Sequence, residues 1–130
     1  MIDIRRVTTR EAVSIYLATN NIFLGLLKEI RELSKKKPDA IMSSGKVKII
    51  NRVLEDLKQI LGTEPESKFL DILDDSTLPQ TSDAVLAMVQ YETALESFSN
   101  KYYQCVGEGL GATYYWVTPE FLIAYDENEE

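Results

Sequence analysis

The sequence predicts an all-α protein, an antiparallel (up-and-down) bundle of about four helices with an aromatic extension at its C-terminal end. Three observations support this fold class. Apolar residues recur every three or four positions over long segments, as on a helix face that packs against a core. Helix start and stop signals bound these segments. The connections are short, and short connections favour antiparallel neighbours.

The length predicts one helical domain over residues 1–130, with residues 113–130 as the aromatic and acidic extension. A chain of this size buries about two thirds of the surface that its unfolded form exposes, which is enough for one core. Apolar residues make up 45% of the chain and charged residues 27%, as in ordinary soluble domains.

The first helix is expected over residues 9–36. Thr8 and Glu11 have the spacing of a capping box, and Pro38 ends the helix. Residues 12–27 are apolar on nearly every side, which predicts a central place in the bundle or a place in an oligomer interface.

Two further helices and a long fourth one follow. Residues 44–61 show one apolar stripe that ends at Gly62, and a short third helix is expected over 66–73 after Pro65. The fourth helix is expected over residues 82–106. Its apolar positions are separated alternately by four and three residues, as in a heptad seam: Ala84, Met88, Tyr91, Leu95, Phe98, Tyr102 and Cys105.

The chain changes character after Gly107. Residues 113–117 are predicted to be extended, because β-branched and aromatic side chains dominate them. Pro119 then indicates a helix start, with one or two turns over residues 121–125. Two strands within 113–125 are the alternative.

Charge is divided unevenly along the chain. The net charge is −7, but residues 1–62 hold twelve basic and seven acidic side chains, whereas residues 63–130 hold two and fourteen. Two halves of opposite sign attract each other within a fold, or direct a charged partner to one face.

The residue inventory argues against an enzyme. Histidine is absent, which removes the commonest general base and most zinc sites. Cys105 is predicted to be an inert thiol on the seam. The glycine-rich stretch 107–111 contains Glu108 and no cation, so it is interpreted as a joint rather than a phosphate loop. We expect no catalytic residue, no metal and no cofactor.

Carboxylates form two small groups that could in principle hold a hard cation. Their spacing matches no calcium loop, and they lie off the seam, so solvated helix surface is the favoured interpretation. The groups are Asp71, Asp74 and Asp75, and Glu92 and Glu96.

The aromatic tail is the candidate interaction surface. Aromatic side chains anchor both cores and interfaces, so the tail is expected either to cap the bundle or to bind a partner. The candidate partner-binding residues are Tyr114, Tyr115, Trp116, Phe121 and Tyr125.

These features predict a non-catalytic, intracellular interaction or regulatory protein, such as an inhibitor of the immunity type or an assembly subunit. The partner would be another protein or a second copy of the chain. The alternative is a nucleic-acid-associated regulator that uses basic residues around the first helix connection. Those residues are Lys35, Lys36, Lys37, Lys46, Lys48 and Arg52.

A cytoplasmic location is expected, without membrane insertion. A lone cysteine fits a reducing compartment. The apolar run 12–27 is shorter than the roughly 20 residues of a spanning helix and is interrupted by Asn20 and Asn21.

Overall fold

The computed structural model describes residues 2–107 and 109–129, with side chains as far as residue 127, and confirms the mostly helical class. Within those residues two short 3-10 turns and a two-stranded sheet accompany the helices. The helices are α1 (Arg10–Lys36), α2 (Ser44–Leu61), α3 (Thr81–Tyr102) and α4 (Pro119–Glu129), the strands β1 (Tyr103–Val106) and β2 (Thr113–Trp116), and the 3-10 turns Pro65–Phe69 and Gly109–Gly111.

Hydroxyl side chains begin the first two helices. The Thr9 Oγ1 accepts a hydrogen bond of 3.0 Å from the Ala12 amide, and the Ser43 Oγ accepts one of 3.2 Å from Lys46. The N-cap of α1 is therefore Thr9, and the predicted capping box of Thr8 with Glu11 is wrong by one residue. The Thr8 amide is engaged elsewhere, because it donates to the Val117 carbonyl at the end of β2.

The heptad seam of α3 is confirmed as core. Six of its seven positions are buried: Ala84, Met88, Tyr91, Leu95, Phe98 and Tyr102. The prediction is wrong for the seventh position, Cys105, because α3 ends at Tyr102 and Cys105 lies exposed on β1. Pairing with β2 and burial of the Gln104 amide stabilise an extended backbone there, and these tertiary contacts override the helical spacing.

The three long helices form the core, and α1 lies antiparallel to both of its neighbours. Arg31 near the end of α1 pairs with Glu92 at 3.0 Å, whereas Tyr16 near its start stacks on Phe98 further along α3. Backbone hydrogen bonds at 40–42 and 79–81 join the starts of α2 and α3, so these two helices are parallel. The predicted up-and-down order is kept, because the connection 62–80 runs back along the bundle in the place of the predicted short third helix.

This return connection contains no α-helix, so the third helix predicted over 66–73 is wrong; only the 3-10 turn Pro65–Phe69 forms. The Asn51 side chain holds the backbone of the connection at Leu73. Its Nδ2 donates to the Leu73 carbonyl and its Oδ1 accepts from the Leu73 amide, both at 2.8 Å. The Tyr91 hydroxyl also donates to the Asp71 carbonyl at 3.1 Å. Leu70 and Leu73 are buried as a result.

A buried carboxylate closes the other end of the return connection. Glu64 accepts a hydrogen bond of 2.7 Å from the Tyr102 hydroxyl and pairs with the Lys101 Nζ at 3.3 Å. Burial, with the Glu64 hydrogen bond, raises the pKa of Tyr102. The contact therefore joins the end of α3 to the segment that follows α2.

The first helix is buried on one side only, so the first of its two predicted places, a central one, is wrong, and the second, an oligomer interface, stays a prediction. Phe23, Leu27 and Ile30 face the core. Leu17 and Ile22 on the outward side are exposed, because within the described residues no other element covers that side. None of the helices in the described ranges has the length and apolar character needed to cross a membrane.

Candidate protein-binding surface

A β-hairpin positions most of the aromatic residues of the C-terminal region. Strand β1 pairs antiparallel with β2, and Tyr103 lies opposite Trp116. The loop between the strands needs glycine, since Gly107 has a φ of +99° and Gly109 a φ of +59°. The glycine-rich stretch is therefore a hairpin turn between two strands, and Glu108 lies outside the described residues.

Alternation along the strands gives the hairpin two different faces. Tyr103, Cys105, Tyr114 and Trp116 share one face. The opposite face carries Gln104, Val106, Thr113 and Tyr115. The candidate residues predicted from the sequence are thus divided between the two faces.

Trp116 joins the first face to the bundle. Its ring lies 4.9 Å from Tyr16 and 5.9 Å from Phe98, measured between centroids, and it is half-buried. Trp116 therefore caps the end of the core, whereas its neighbours on the strand extend outward.

Beyond Trp116 two tyrosines stack and remain accessible. The rings of Tyr103 and Tyr114 lie 5.4 Å apart in a stacked arrangement, and the Tyr103 ring also lies 5.0 Å from Trp116. Tyr103 is 40% exposed and Tyr114 55%. The two rings form a stacked, accessible aromatic pair beside the end of the bundle.

On the second face, Tyr115 begins a row of stacked aromatic rings that continues along α4. Tyr115 stacks on Phe121 at 5.2 Å, and Phe121 lies 5.9 Å from Tyr125. The Thr118 hydroxyl accepts from the Phe121 amide at 3.1 Å at the start of α4. Tyr115 is 45% exposed, and Phe121 and Tyr125 are half-buried. The extended segment 113–116 and a following helix are confirmed, although α4 is longer than predicted.

The N-terminal segment is hydrogen-bonded to the hairpin through the Gln104 side chain. The Gln104 Oε1 accepts from the Asp3 amide at 2.9 Å and from an Arg6 guanidinium nitrogen at 3.2 Å. Its Nε2 lies 3.1 Å from the Asp3 carbonyl and 2.8 Å from the Arg6 carbonyl, and donates to both. The Arg5 side chain donates to Asp3 and lowers the pKa of that carboxyl.

The charged side chains of the hairpin and α4 themselves are all acidic. Residues 102–130 contain no lysine or arginine. Glu120, Asp126 and Glu127 on α4 are exposed. A cation of the N-terminal segment, Arg6, also contacts the hairpin through Gln104.

The basic residues of the alternative site occupy two separate places. Lys36, Lys37 and Lys46 line one groove of about 280 Å³ at the first helix connection. Lys48 and Arg52 line another, together with acidic side chains, on a different side of α2. Lys35 pairs with Glu32 at 3.3 Å. The structure thus brings together half of the six residues.

The acidic groups predicted to be solvated surface are also dispersed. Glu92 and Glu96 line a groove of about 330 Å³ between α1 and α3, whereas Asp71 and Asp75 lie in two other shallow grooves. Asp74 stabilises a turn, because its Oδ1 accepts from the Ser76 amide and hydroxyl, both at 2.8 Å, and these bonds lower its pKa. The carboxylates therefore do not form one continuous acidic face.

The sequence analysis does not identify Tyr103 as a surface residue, because it places this residue within a longer fourth helix. The available signal was the run Tyr103–Val106, which precedes the glycines as Thr113–Trp116 follows them. Two such runs around a glycine-containing turn are typical of a hairpin.

In the described part of the chain, no group of three or more cysteine, aspartate or glutamate side chains is arranged to hold a metal ion. Comparison of the chain with protein-family models, curated protein sequences and solved structures finds no significant match.

Proposed function

We propose that this chain is a non-catalytic interaction or regulatory protein that binds a protein partner through the aromatic hairpin surface, which consists of Tyr103 and Tyr114 on one face of the hairpin. The observation that carries the proposal is the exposure of both rings, 40% and 55%, in a stacked contact on the paired strands. Rigid tyrosines supply a large contact area at a low cost in conformational entropy and are enriched in binding surfaces.

The local charge specifies the kind of partner. Exposed carboxylates on α4 and the absence of cations after residue 101 favour a partner surface with lysine or arginine beside an apolar or aromatic site. Arginine also stacks on tyrosine rings, which would combine both features in one contact.

A non-catalytic role and a reducing, intracellular compartment are supported by the residue inventory. The chain contains no histidine to act as a general base. Its single cysteine is exposed on β1, an arrangement that suits the cytoplasm, where thiols stay reduced.

The test is affinity capture from the native cell, followed by titration of the purified partner. Tyr103→Ala and Tyr114→Ala should each weaken binding tenfold or more, the loss typical of an interface hot spot. Phe69→Ala removes an equally exposed ring on another side and should leave binding unchanged. A partner whose affinity is the same for all three variants would overturn the proposal.

The groove that Lys36, Lys37 and Lys46 share supports a second candidate, nucleic-acid binding. Its test is fluorescence anisotropy with labelled DNA and RNA at low salt. Replacement of these three lysines by glutamate should abolish binding and its salt dependence. An unchanged anisotropy of wild-type mixtures would end this candidate.

A further inference from the structure

Three lysines meet in the groove at the first helix connection. Lys36 and Lys37 come from the end of α1 and Lys46 from the first turn of α2, and all three side chains line the groove. They are exposed, and among the described residues none of them takes part in an ion pair. Because like charges repel, three cations gathered without a carboxylate attract an anion from solution.

The acidic side chains of this region do not neutralise these lysines. Glu32 on α1 pairs with Lys35 at 3.3 Å. Asp39 is exposed in the turn after α1 and forms no ion pair within the part of the chain that the structure describes. Glu29 lines a neighbouring groove and lies about 10 Å from Lys36 along the axis of α1. The groove therefore keeps an excess of positive charge.

The start of α2 adds to this positive potential. Ser44 and Gly45 are its first two residues, and no hydrogen bond among the described residues uses their amide groups. A Cβ on Gly45 would meet no atom within 4 Å, so a ligand held by Lys46 can approach the backbone there without a clash. The positive end of a helix favours negative charge. The lysines define the site, and the start of α2 strengthens it.

Apolar side chains form a wall of the same groove. Leu33, Ile41 and Met42 line it together with the lysines, and Ile41 is 63% exposed. The volume of about 280 Å³ is near the lower end of the range for small-molecule sites, about 300–1,000 Å³. An anion that fills the groove therefore carries an apolar part no larger than a ring or a short chain.

The positions of the other cations favour a small ligand over a nucleic-acid strand. A strand requires cations spaced along its backbone. Lys48 and Arg52 line a different groove, in which Glu55 and Asp75 accompany them. The basic track therefore stops after three lysines. Three cations at one place match the charge of one phosphate monoester, about −1.5 to −2 at pH 7, and lysine binds phosphate as a point charge.

We infer that this groove binds a phosphate monoester whose organic part is apolar or aromatic. The phosphate lies among Lys36, Lys37 and Lys46, and the organic part lies against Leu33 and Ile41. Helix α3 starts beside this groove and ends at the hairpin, so the site is at the opposite end of the bundle from the aromatic hairpin surface. Neither site requires the other.

Titration of the isotopically labelled protein with phenyl phosphate, followed through amide chemical shifts, tests this inference. The amides of residues 41–46 should shift saturably. Lys46→Gln should weaken binding about fivefold, the effect of one exposed charge pair. Lys48→Gln is the matched control, because it removes the same charge from an exposed position on another side of α2. Its dissociation constant should equal that of the wild type.

The apolar wall has a test of its own. Phenyl phosphate should bind more tightly than inorganic phosphate, because its ring is removed from water against the wall. Ile41→Ser should abolish this difference and leave the affinity for inorganic phosphate unchanged. Unaltered amide shifts in α3 establish that the variant keeps its fold.

Four outcomes would overturn the inference. They are no saturable shift with phenyl phosphate at millimolar concentration, equal binding by Lys46→Gln and the wild type, no effect of Ile41→Ser, and tighter binding of an oligonucleotide that carries only internal phosphodiesters. The last would favour the nucleic-acid candidate instead. Tyr114→Ala should bind phenyl phosphate as the wild type does, so failure of the proposed partner binding is distinguishable from failure of this inference.

Discussion

Glu64 and Tyr102 show how one buried hydrogen bond joins distant parts of the chain. The carboxylate is 7% exposed and accepts from the Tyr102 hydroxyl at 2.7 Å. Glu64→Ala leaves the hydroxyl without this partner, and an unsatisfied buried polar group costs about 1–3 kcal/mol. Urea unfolding should show that loss. The free energy of unfolding of Glu66→Ala, the control, should change by less than about 0.5 kcal/mol.

A double-mutant cycle separates the hydrogen bond from the loss of packing. Tyr102→Phe combined with Glu64→Ala should cost less than the sum of the single variants, since no partner is then left unpaired. Strict additivity would show that the two side chains do not interact.

Tyr91 should make the free energy of unfolding depend on pH in the alkaline range. Burial, followed by the charge of Asp71, raises the pKa of Tyr91 from 10.0 to about 12. The folded state favours the neutral phenol, so this contribution is complete below pH 10 and is lost as the pH rises towards 12. The free energy of unfolding should fall across that interval. Tyr91→Phe should reduce the slope, and an unchanged slope would contradict the assignment.

At the level of the element, the hairpin depends on its first glycine. A Cβ on Gly107 would lie 3.0 Å from the Gly111 carbonyl oxygen, at a φ of +99° that other residues rarely adopt. Gly107→Ala should therefore destabilise the protein by about 1–3 kcal/mol. Gly45→Ala, in open space within α2, should stabilise it by up to about 1 kcal/mol. Thermal unfolding of both variants measures the contrast.

The elements also show what could be predicted from the sequence. The bounds of α2 and the buried seam of α3 follow from helical periodicity, which local spacing records well. The hairpin that ends α3 has a local signal in the two runs around the glycines, but the hydrogen bonds from Gln104 to the segment around Asp3, about a hundred residues away, are encoded by no local pattern. The hydrogen bonds between Asn51 and Leu73, which hold the return connection in place, are likewise not local. The sequence alone therefore predicts a helix there.

Only part of the candidate surface could be predicted, again because the contacts that decide it are not local in the sequence. Tyr114 and Tyr115 are exposed as an interface would need, but Trp116 lies against Tyr16 and Phe98. Which aromatic residue caps a core depends on strand register, and the register was not accessible without the partner strand β1.

At the level of the whole molecule, Gln104 connects residues 2–8 with the hairpin. Its amide forms hydrogen bonds with the Asp3 amide and with the Asp3 and Arg6 carbonyls. Gln104→Leu should cost about 1–3 kcal/mol, because partly buried backbone groups of Asp3 and Arg6 lose their partners. Amide exchange at Asp3 should accelerate, whereas exchange at Leu54 in the centre of α2 should follow only the global stability. Protection of Asp3 equal to wild type would contradict this role.

The parallel order of α2 and α3 also has a consequence during translation. When the ribosome has released α1 and α2, their shared apolar side, including Phe23, Leu27 and Leu54, still lacks the helix that covers it. That helix emerges only after the return connection has been synthesised. The nascent chain therefore leaves these apolar residues uncovered for the time needed to add some forty residues, at about 5–20 residues per second, and chaperones that recognise exposed apolar surface would bind them in that interval.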